Sequence, residues 1–208
     1  MLPKVKICGI TLVRDAIGAV EAGADALGFV FFKDSPRWIA REAAAEIIQE
    51  LPPFVAKVGV FVNASDGMVR KTIEACGLDT LQFHGDETPE FCRRFGLKAL
   101  KAFRVRGEEV LAEAASYDRE AWLLDSFVAG KPGGTGAKFN WQIAGWAVKL
   151  GRPVILAGGL TPDNVVQAVR QVRPFGVDVS SGVELSPGRK DLQKVQEFIR
   201  QAKKPGRK

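Results

Sequence analysis

The chain has 208 residues, 46% of them apolar and 26% charged, which suits one globular domain with a sizeable core and excludes a disordered polymer. Its longest apolar runs, Ala26 to Phe32 and Ala56 to Val62, are far too short to cross a bilayer, so no membrane partner is expected. The net charge of +6 is scattered except in the tail 203–208, which has no aromatic residue for base stacking; it reads as a frayed, solvated end, not a nucleic-acid surface.

Further exclusions come from single residue types. The start Met1-Leu2-Pro3-Lys4 runs straight into an apolar strand pattern and leaves no room for a signal peptide, so a cytoplasmic location is expected. Cys8, Cys76 and Cys92 show no C-x-x-C spacing, and His84 is the single histidine. That set argues against a disulfide framework and against a transition-metal site.

In chain order, short β-rich apolar runs alternate with longer amphipathic stretches, the mark of βα units around a parallel sheet. The expected strands are Val5–Ile10, Ala26–Phe32, Ala56–Val62, Thr80–His84, Ala99–Val105, Trp122–Ser126, Pro153–Ala157 and Gly176–Ser180. Helical patterns lie between them, for example Leu12–Ala22 and Ala40–Leu51. Gly23, Gly77, Gly96 and Gly151 sit where helices should end, and Ser65, Thr88-Pro89 and Thr161-Pro162 where they should begin. Periodicity alone leaves an open sheet and a closed barrel both standing. The length suits a minimal (β/α)₈ barrel, a TIM barrel, in a single domain over 1–208, with no linker marking a second one.

In such a barrel the strand C-termini converge on one face, so polar residues there are the site candidates. Two small-residue loops, Leu156-Ala157-Gly158-Gly159-Leu160-Thr161 and Val179-Ser180-Ser181-Gly182-Val183, follow the last two strands. Their glycine N–H groups and serine hydroxyls, with a short helix after Ser181, suit a phosphate cradle. Cys8 stands at a strand end beside Gly9 and near Lys6, where an electropositive pocket would lower its thiol pKa and make it a usable base. Asp125 closes an otherwise apolar strand, where burial among aromatics would raise its pKa and make it an acid. Arg37 is held in a turn by Pro36 and suits a forked contact with a carboxylate or phosphate. For His84 both a base and a cap stay open. The glycine-rich run 127–136, including Gly133-Gly134-Thr135-Gly136, has the make-up of a lid and lacks the spacing of a dinucleotide fingerprint.

The ordered set Lys6-Ile7-Cys8-Gly9, Gly28-Phe29-Val30-Phe31, Ser35-Pro36-Arg37, Val60-Phe61-Val62-Asn63, Gln82-Phe83-His84-Gly85-Asp86-Glu87, Leu124-Asp125-Ser126, Gly133-Gly134-Thr135-Gly136, Ala157-Gly158-Gly159 and Asp178-Val179-Ser180-Ser181-Gly182-Val183-Glu184 resembles the phosphoribosylanthranilate isomerases of tryptophan biosynthesis. The resemblance implies an Amadori rearrangement of N-(5-phosphoribosyl)anthranilate without metal or organic cofactor. It assigns Asp125 as acid and Cys8 as base, and places Arg37 on the anthranilate carboxylate. Gln82 and Asp178 fall near the sugar or amine, and Gly158, Gly159, Ser180, Ser181 and Gly182 hold phosphate. The catalytic lysines and glutamates of an indole-glycerol-phosphate synthase, or the metal-binding histidines of a sugar-phosphate epimerase, have no counterpart. A non-catalytic phosphate-binding barrel would need neither Cys8 nor Asp125. A homodimer is compatible with the sequence, which does not name its face.

Overall fold

Each of the eight β-rich runs forms a strand, because its β-branched and aromatic residues can be buried on both faces, as a parallel sheet with a helical cover requires. The structure, a computed structural model, describes residues 2–126 and 141–204. The barrel strands are β1 Lys4–Cys8, β2 Ala26–Val30, β3 Ala56–Phe61, β4 Thr80–Phe83, β5 Lys98–Val105, β6 Ala121–Ser126, β7 Val154–Leu156 and β8 Gly176–Val179. Between and after them lie α1 Val13–Glu21, α2 Arg41–Gln49, α3 Asp66–Cys76, α4 Pro89–Cys92, α5 Val110–Ala115, α6 Trp141–Lys149, α7 Val165–Val172 and α8 Leu192–Ala202. All neighbouring barrel strands pair in parallel, and β1 bonds both β2 and β8, with Lys6 opposite Asp178 and Cys8 opposite Gly28, so the sheet closes. The protein is a (β/α)₈ barrel.

Alternation along the strands divides the interior in two. Outward residues such as Ile7, Leu27, Phe29, Phe61, Leu81, Phe83, Trp122 and Val177 pack under the helices in the main core. Inward residues fill the barrel: Ala102, Leu123, Ile155 and Ala157 cluster with Leu100 and Ala121, and Cys8, Val30 and Val60 cluster with Phe32. Among the inward side chains Lys6, Gln82 and Asp178 are buried polar groups, which burial statistics make unusual unless they are partnered.

The capping signals hold in most places. Ser65 Oγ accepts the Met68 N–H and Thr88 Oγ1 accepts the Phe91 N–H, while Gly23, Gly77 and Gly151 take the positive φ that ends a helix; Gly96 has positive φ too, but α4 already stops at Cys92 and Gly96 serves the turn into β5. Thr161-Pro162 differs. The Thr161 carbonyl accepts the N–H of Val165, and its N–H donates to Asn164 Oδ1, so this pair opens a turn and regular helix begins only at Val165. Beyond β8 the chain makes a 3₁₀ turn, Ser181–Val183, and an unanticipated antiparallel pair, β9 Glu184–Ser186 with β10 Arg189–Lys190. The basic tail is also corrected at its first residue. Lys203 donates to the Gly23 carbonyl at 2.7 Å and sits 2.8 Å from Asp25, so it is docked and not frayed; residues 205–208 lie outside the described residues.

The N-terminal mouth of the barrel opens into a cavity of about 770 Å³ lined by Lys4, Lys98, Leu100, Ile155, Phe54 and Phe175, among others. Phe54 is fully exposed, at 101%, on a backbone with φ of 71°. Among the described residues no helix is long and apolar enough to cross a membrane, and no cluster of three His, Cys, Asp or Glu side chains is placed to hold a metal.

Candidate active site

The opposite, C-terminal mouth gathers the polar strand ends. Cys8 ends β1 facing inward and is 8% exposed. Gly28 faces it in register across β2, and a Cβ there would lie 2.8 Å from the Cys8 sulfur and 3.1 Å from Lys6 Nζ, so sulfur and ammonium occupy the space a side chain would take. Lys6 Nζ donates to Asp178 Oδ1 at 2.9 Å, and both are nearly inaccessible. Burial alone would depress the Lys6 ammonium, but the Asp178 carboxylate and the Cys8 sulfur outweigh it and hold Lys6 above its ordinary value. For Cys8 the balance runs the other way. Burial pushes the thiol up, against the lowering pull of Lys6 and Lys190, so the depressed thiol expected from the sequence is not what this pocket makes.

Asp125 is the penultimate residue of β6, in register with Arg104 of β5. Among the described residues it is less enclosed than expected. The side chain keeps 21% of its exposure, and Oδ2 lies 3.4 Å from His84 Nε2. His84 Nδ1 in turn lies 3.2 Å from Gln82 Nε2, which links Gln82, His84 and Asp125 in one row. Gln82 Oε1 is buried and has no partner among the described residues, so the Gln82 side chain keeps one acceptor for something that enters the site.

Arg37 does fork onto a carboxylate, but one of its own chain. Its Nε is 2.9 Å from Glu184 Oε1 and its Nη2 2.7 Å from Glu184 Oε2. Gly9, at φ 78°, makes room: a Cβ there would lie 2.6 Å from Arg37 Cδ and 3.1 Å from Ser180 Oγ. Glu184 is shared with Lys190, whose fully buried ammonium lies 2.8 Å from Glu184 Oε1 and also reaches the carbonyl oxygens of Cys8 and Ser180. Burial would raise the Glu184 carboxyl, but its bonds to Arg37 and Lys190 hold it below the ordinary carboxylate range. Sequence reading missed Lys190 as a site residue because it lies past the last barrel strand, in the β9–β10 pair. No spacing marks it.

The two small-residue loops meet as expected. Gly158 and Gly159 have φ of 78° and 63°, and Ser180 Oγ is buried without a partner among the described residues. A Cβ at Gly182 would lie 1.9 Å from the Leu160 carbonyl oxygen, so glycine is what lets the loop after β8 touch the loop after β7. Among the described residues, no acceptor is set against the N–H groups of Gly158, Gly159, Ser181 and Gly182. Orphan amides from two loops, a buried hydroxyl and the start of a helical turn are donors of the kind a compact anion takes.

Next to this face Glu87 ties β3 to β4. It accepts the Asn63 N–H at 2.7 Å and the Gly85 N–H at 2.9 Å, and it is held by Lys101 Nζ at 3.0 Å, with both side chains almost wholly buried. The expected lid, residues 127–136, lies outside the described residues.

The same mouth thus carries a cysteine on β1, an aspartate on β6 and a two-loop cradle after β7 and β8. The sequence profile of N-(5'-phosphoribosyl)anthranilate (PRA) isomerase matches residues 5–201. The chain belongs to this family. The N-(5'-phosphoribosyl)anthranilate isomerase of Citrifermentans bemidjiense is 59% identical to it over 203 residues, 98% of both proteins. Two crystal structures of the phosphoribosylanthranilate isomerase of Thermotoga maritima, the second of monomers generated from the dimeric enzyme, superpose with TM-scores of 0.93 and 0.88 at 43% and 40% identity, over 97% of this chain and 99% of theirs. A phosphoribosylanthranilate isomerase solved with reduced 1-(o-carboxyphenylamino)-1-deoxyribulose 5-phosphate has a TM-score of 0.89 and 42% identity over 97% of this chain and 99% of its own. In phosphoribosylanthranilate isomerase terms, then, this chain is an isomerase of tryptophan biosynthesis built on a TIM barrel.

Proposed function

We propose that the whole chain forms a single barrel domain that works in the cytoplasm and converts N-(5-phosphoribosyl)anthranilate to 1-(2-carboxyphenylamino)-1-deoxyribulose 5-phosphate, with Asp125 as acid and Cys8 as base. The observation that carries the reading is the placement of Cys8 and Asp125 at facing strand ends beside the cradle of Gly158, Gly159, Ser180, Ser181 and Gly182. The cradle fixes the phosphate, which spends binding energy away from the reacting atoms and orients the sugar. Asp125 gives its proton to the ribose ring oxygen as the bond from that oxygen to C1 breaks, and the nitrogen lone pair forms an iminium ion. Cys8 as thiolate takes the proton on C2, whose bonding pair becomes the C1=C2 bond of an enolamine. Loss of the C2 hydroxyl proton and gain of a proton at C1 then give the ketone.

Two further contacts fit this substrate. Gln82 Oε1, buried without a partner among the described residues, suits a sugar hydroxyl or the amine, and Asp178 lies beside Lys6 at the same depth. Arg37 uses Nε and Nη2 on Glu184, and its remaining edge suits the anthranilate carboxylate. Arg37→Ala is expected to raise KM by about 10- to 100-fold, the worth of a charged hydrogen bond, with kcat much less affected. Steady-state kinetics check this, and an unchanged KM would refute the carboxylate role.

The direct test of the function is incubation with freshly prepared phosphoribosylanthranilate while the loss of anthranilate-type fluorescence is followed. Rapid loss, faster than the spontaneous decay of the substrate, supports an isomerase. A rate equal to that decay leaves only a phosphate-binding barrel.

A homodimer is proposed on the strength of one face. Phe54 stands fully exposed at the rim of the N-terminal cavity, where Phe175 is half exposed, and a second copy seated there would cover both rings. Phe54→Glu is expected to shift the sedimentation coefficient from dimer to monomer.

A further inference from the structure

Cys8 is a poor base as it stands, because its burial favours the neutral thiol. Something must make the thiolate accessible when the C2 proton is taken. Among the described residues, the charged groups that face the sulfur are few. Lys6 comes from two residues earlier on the same strand, Asp178 from β8 and Lys190 from β10, while Gly28 of β2 contributes no side chain. Lys190 already lies against Glu184 and two backbone carbonyls. Lys6 is different. It is 5% exposed, donates to Asp178 Oδ1 at 2.9 Å, and its Nζ and the Cys8 sulfur both lie within about 3 Å of where a Cβ on Gly28 would stand.

We infer that Lys6 is a positioning residue whose ammonium holds the sulfur of Cys8 in its anionic form during proton abstraction, with Asp178 anchoring Lys6 beneath it. The inference rests on the reading of Cys8 as the base. It assigns a task to an otherwise costly choice, since an inward lysine in a small barrel replaces apolar filling with a buried charge. It also explains Gly28. A side chain there would drive Lys6 Nζ and the sulfur apart. On this arrangement the iminium ion supplies a further positive charge as the ring opens, so the thiolate is favoured most at the step that needs it.

The test reads Cys8 directly. Initial rates of carboxamidomethylation by iodoacetamide are followed by peptide mapping across a pH series, so that only the Cys8 peptide counts. Cys76 and Cys92 are buried, with thiols pushed up to about 11 and about 12, and contribute little. Lys6→Met is expected to move the Cys8 midpoint up by at least about one pH unit, which lowers the alkylation rate below the midpoint roughly tenfold. Asp178→Asn is expected to move it down, because Lys6 then answers to the sulfur alone. Shifts of opposite sign are not what loosened packing produces. If Lys6→Met does not fold, the downward shift in Asp178→Asn carries the test. An unchanged midpoint in a folded Lys6→Met protein, or an upward shift in Asp178→Asn, overturns the inference. Full activity in Cys8→Ala would instead sink Cys8 as base and leave the midpoint result standing.

Discussion

Cys8→Ala and Asp125→Asn are each expected to lower kcat by about 10²- to 10⁴-fold, the usual worth of a positioned base or acid, while the circular dichroism spectrum stays that of the parent protein. Both changes are small in volume and leave the fold's main supports alone. Cys8 touches the minor inward cluster with Val30 and Val60, and Asp125 is a partly exposed strand end. The two variants should differ in one respect. Asparagine keeps the contact with His84 but has no proton to give, so ring opening fails while substrate still binds. Alanine at position 8 leaves ring opening possible and blocks removal of the C2 proton. Presteady-state measurement of substrate decay against product formation separates the two. Near-normal turnover in either variant would remove that residue from the mechanism.

The second large effect concerns stability. Lys101→Met is expected to destabilise the barrel by about 3–5 kcal/mol, because it keeps the packing volume but strands the Glu87 carboxylate without its counter-charge. Glu87 and Lys101 are nearly inaccessible, and Glu87 also accepts two backbone N–H groups that hold the ends of β3 and β4. For a chain of this size the loss corresponds to a fall in melting temperature on the order of 10 °C. Lys101→Met combined with Glu87→Gln should recover much of it, since the amide carbonyl still accepts from the backbone and carries no charge. A melting temperature unchanged in the single variant would show that the pair contributes nothing net.

The barrel was legible because its signals are local. Strands such as Ala26–Val30 and Ala121–Ser126 are short, mostly apolar runs, and their ends fall within a residue or two of the expected positions. The cradle was legible for the same reason, since Gly158-Gly159 and Ser180-Ser181-Gly182 each follow a strand directly. What stayed hidden is charge pairing across long separations. Arg37 meets Glu184 and Lys190 meets the Cys8 carbonyl, partners 147 and 182 residues apart that no period connects. Lys6 was noticed only for its nearness to Cys8. Its place on the inward face of β1 was already implied by the alternation Val5-Lys6-Ile7, and that alternation is the signal that could have found it. The direction of the Cys8 shift was misjudged because a sequence shows nearby charge more readily than depth of burial.

The inward plug of Leu100, Ala102, Leu123 and Ile155 has a bearing on traffic. Its Leu100 and Ile155 also line the cavity at the N-terminal mouth, so this apolar filling lies between that cavity and the C-terminal strand ends. On the proposed reading, substrate enters and product leaves at the C-terminal mouth, where Cys8, Asp125 and the two-loop cradle lie. A second copy seated on Phe54 and Phe175 at the N-terminal rim would stand at the other end of the barrel from that path.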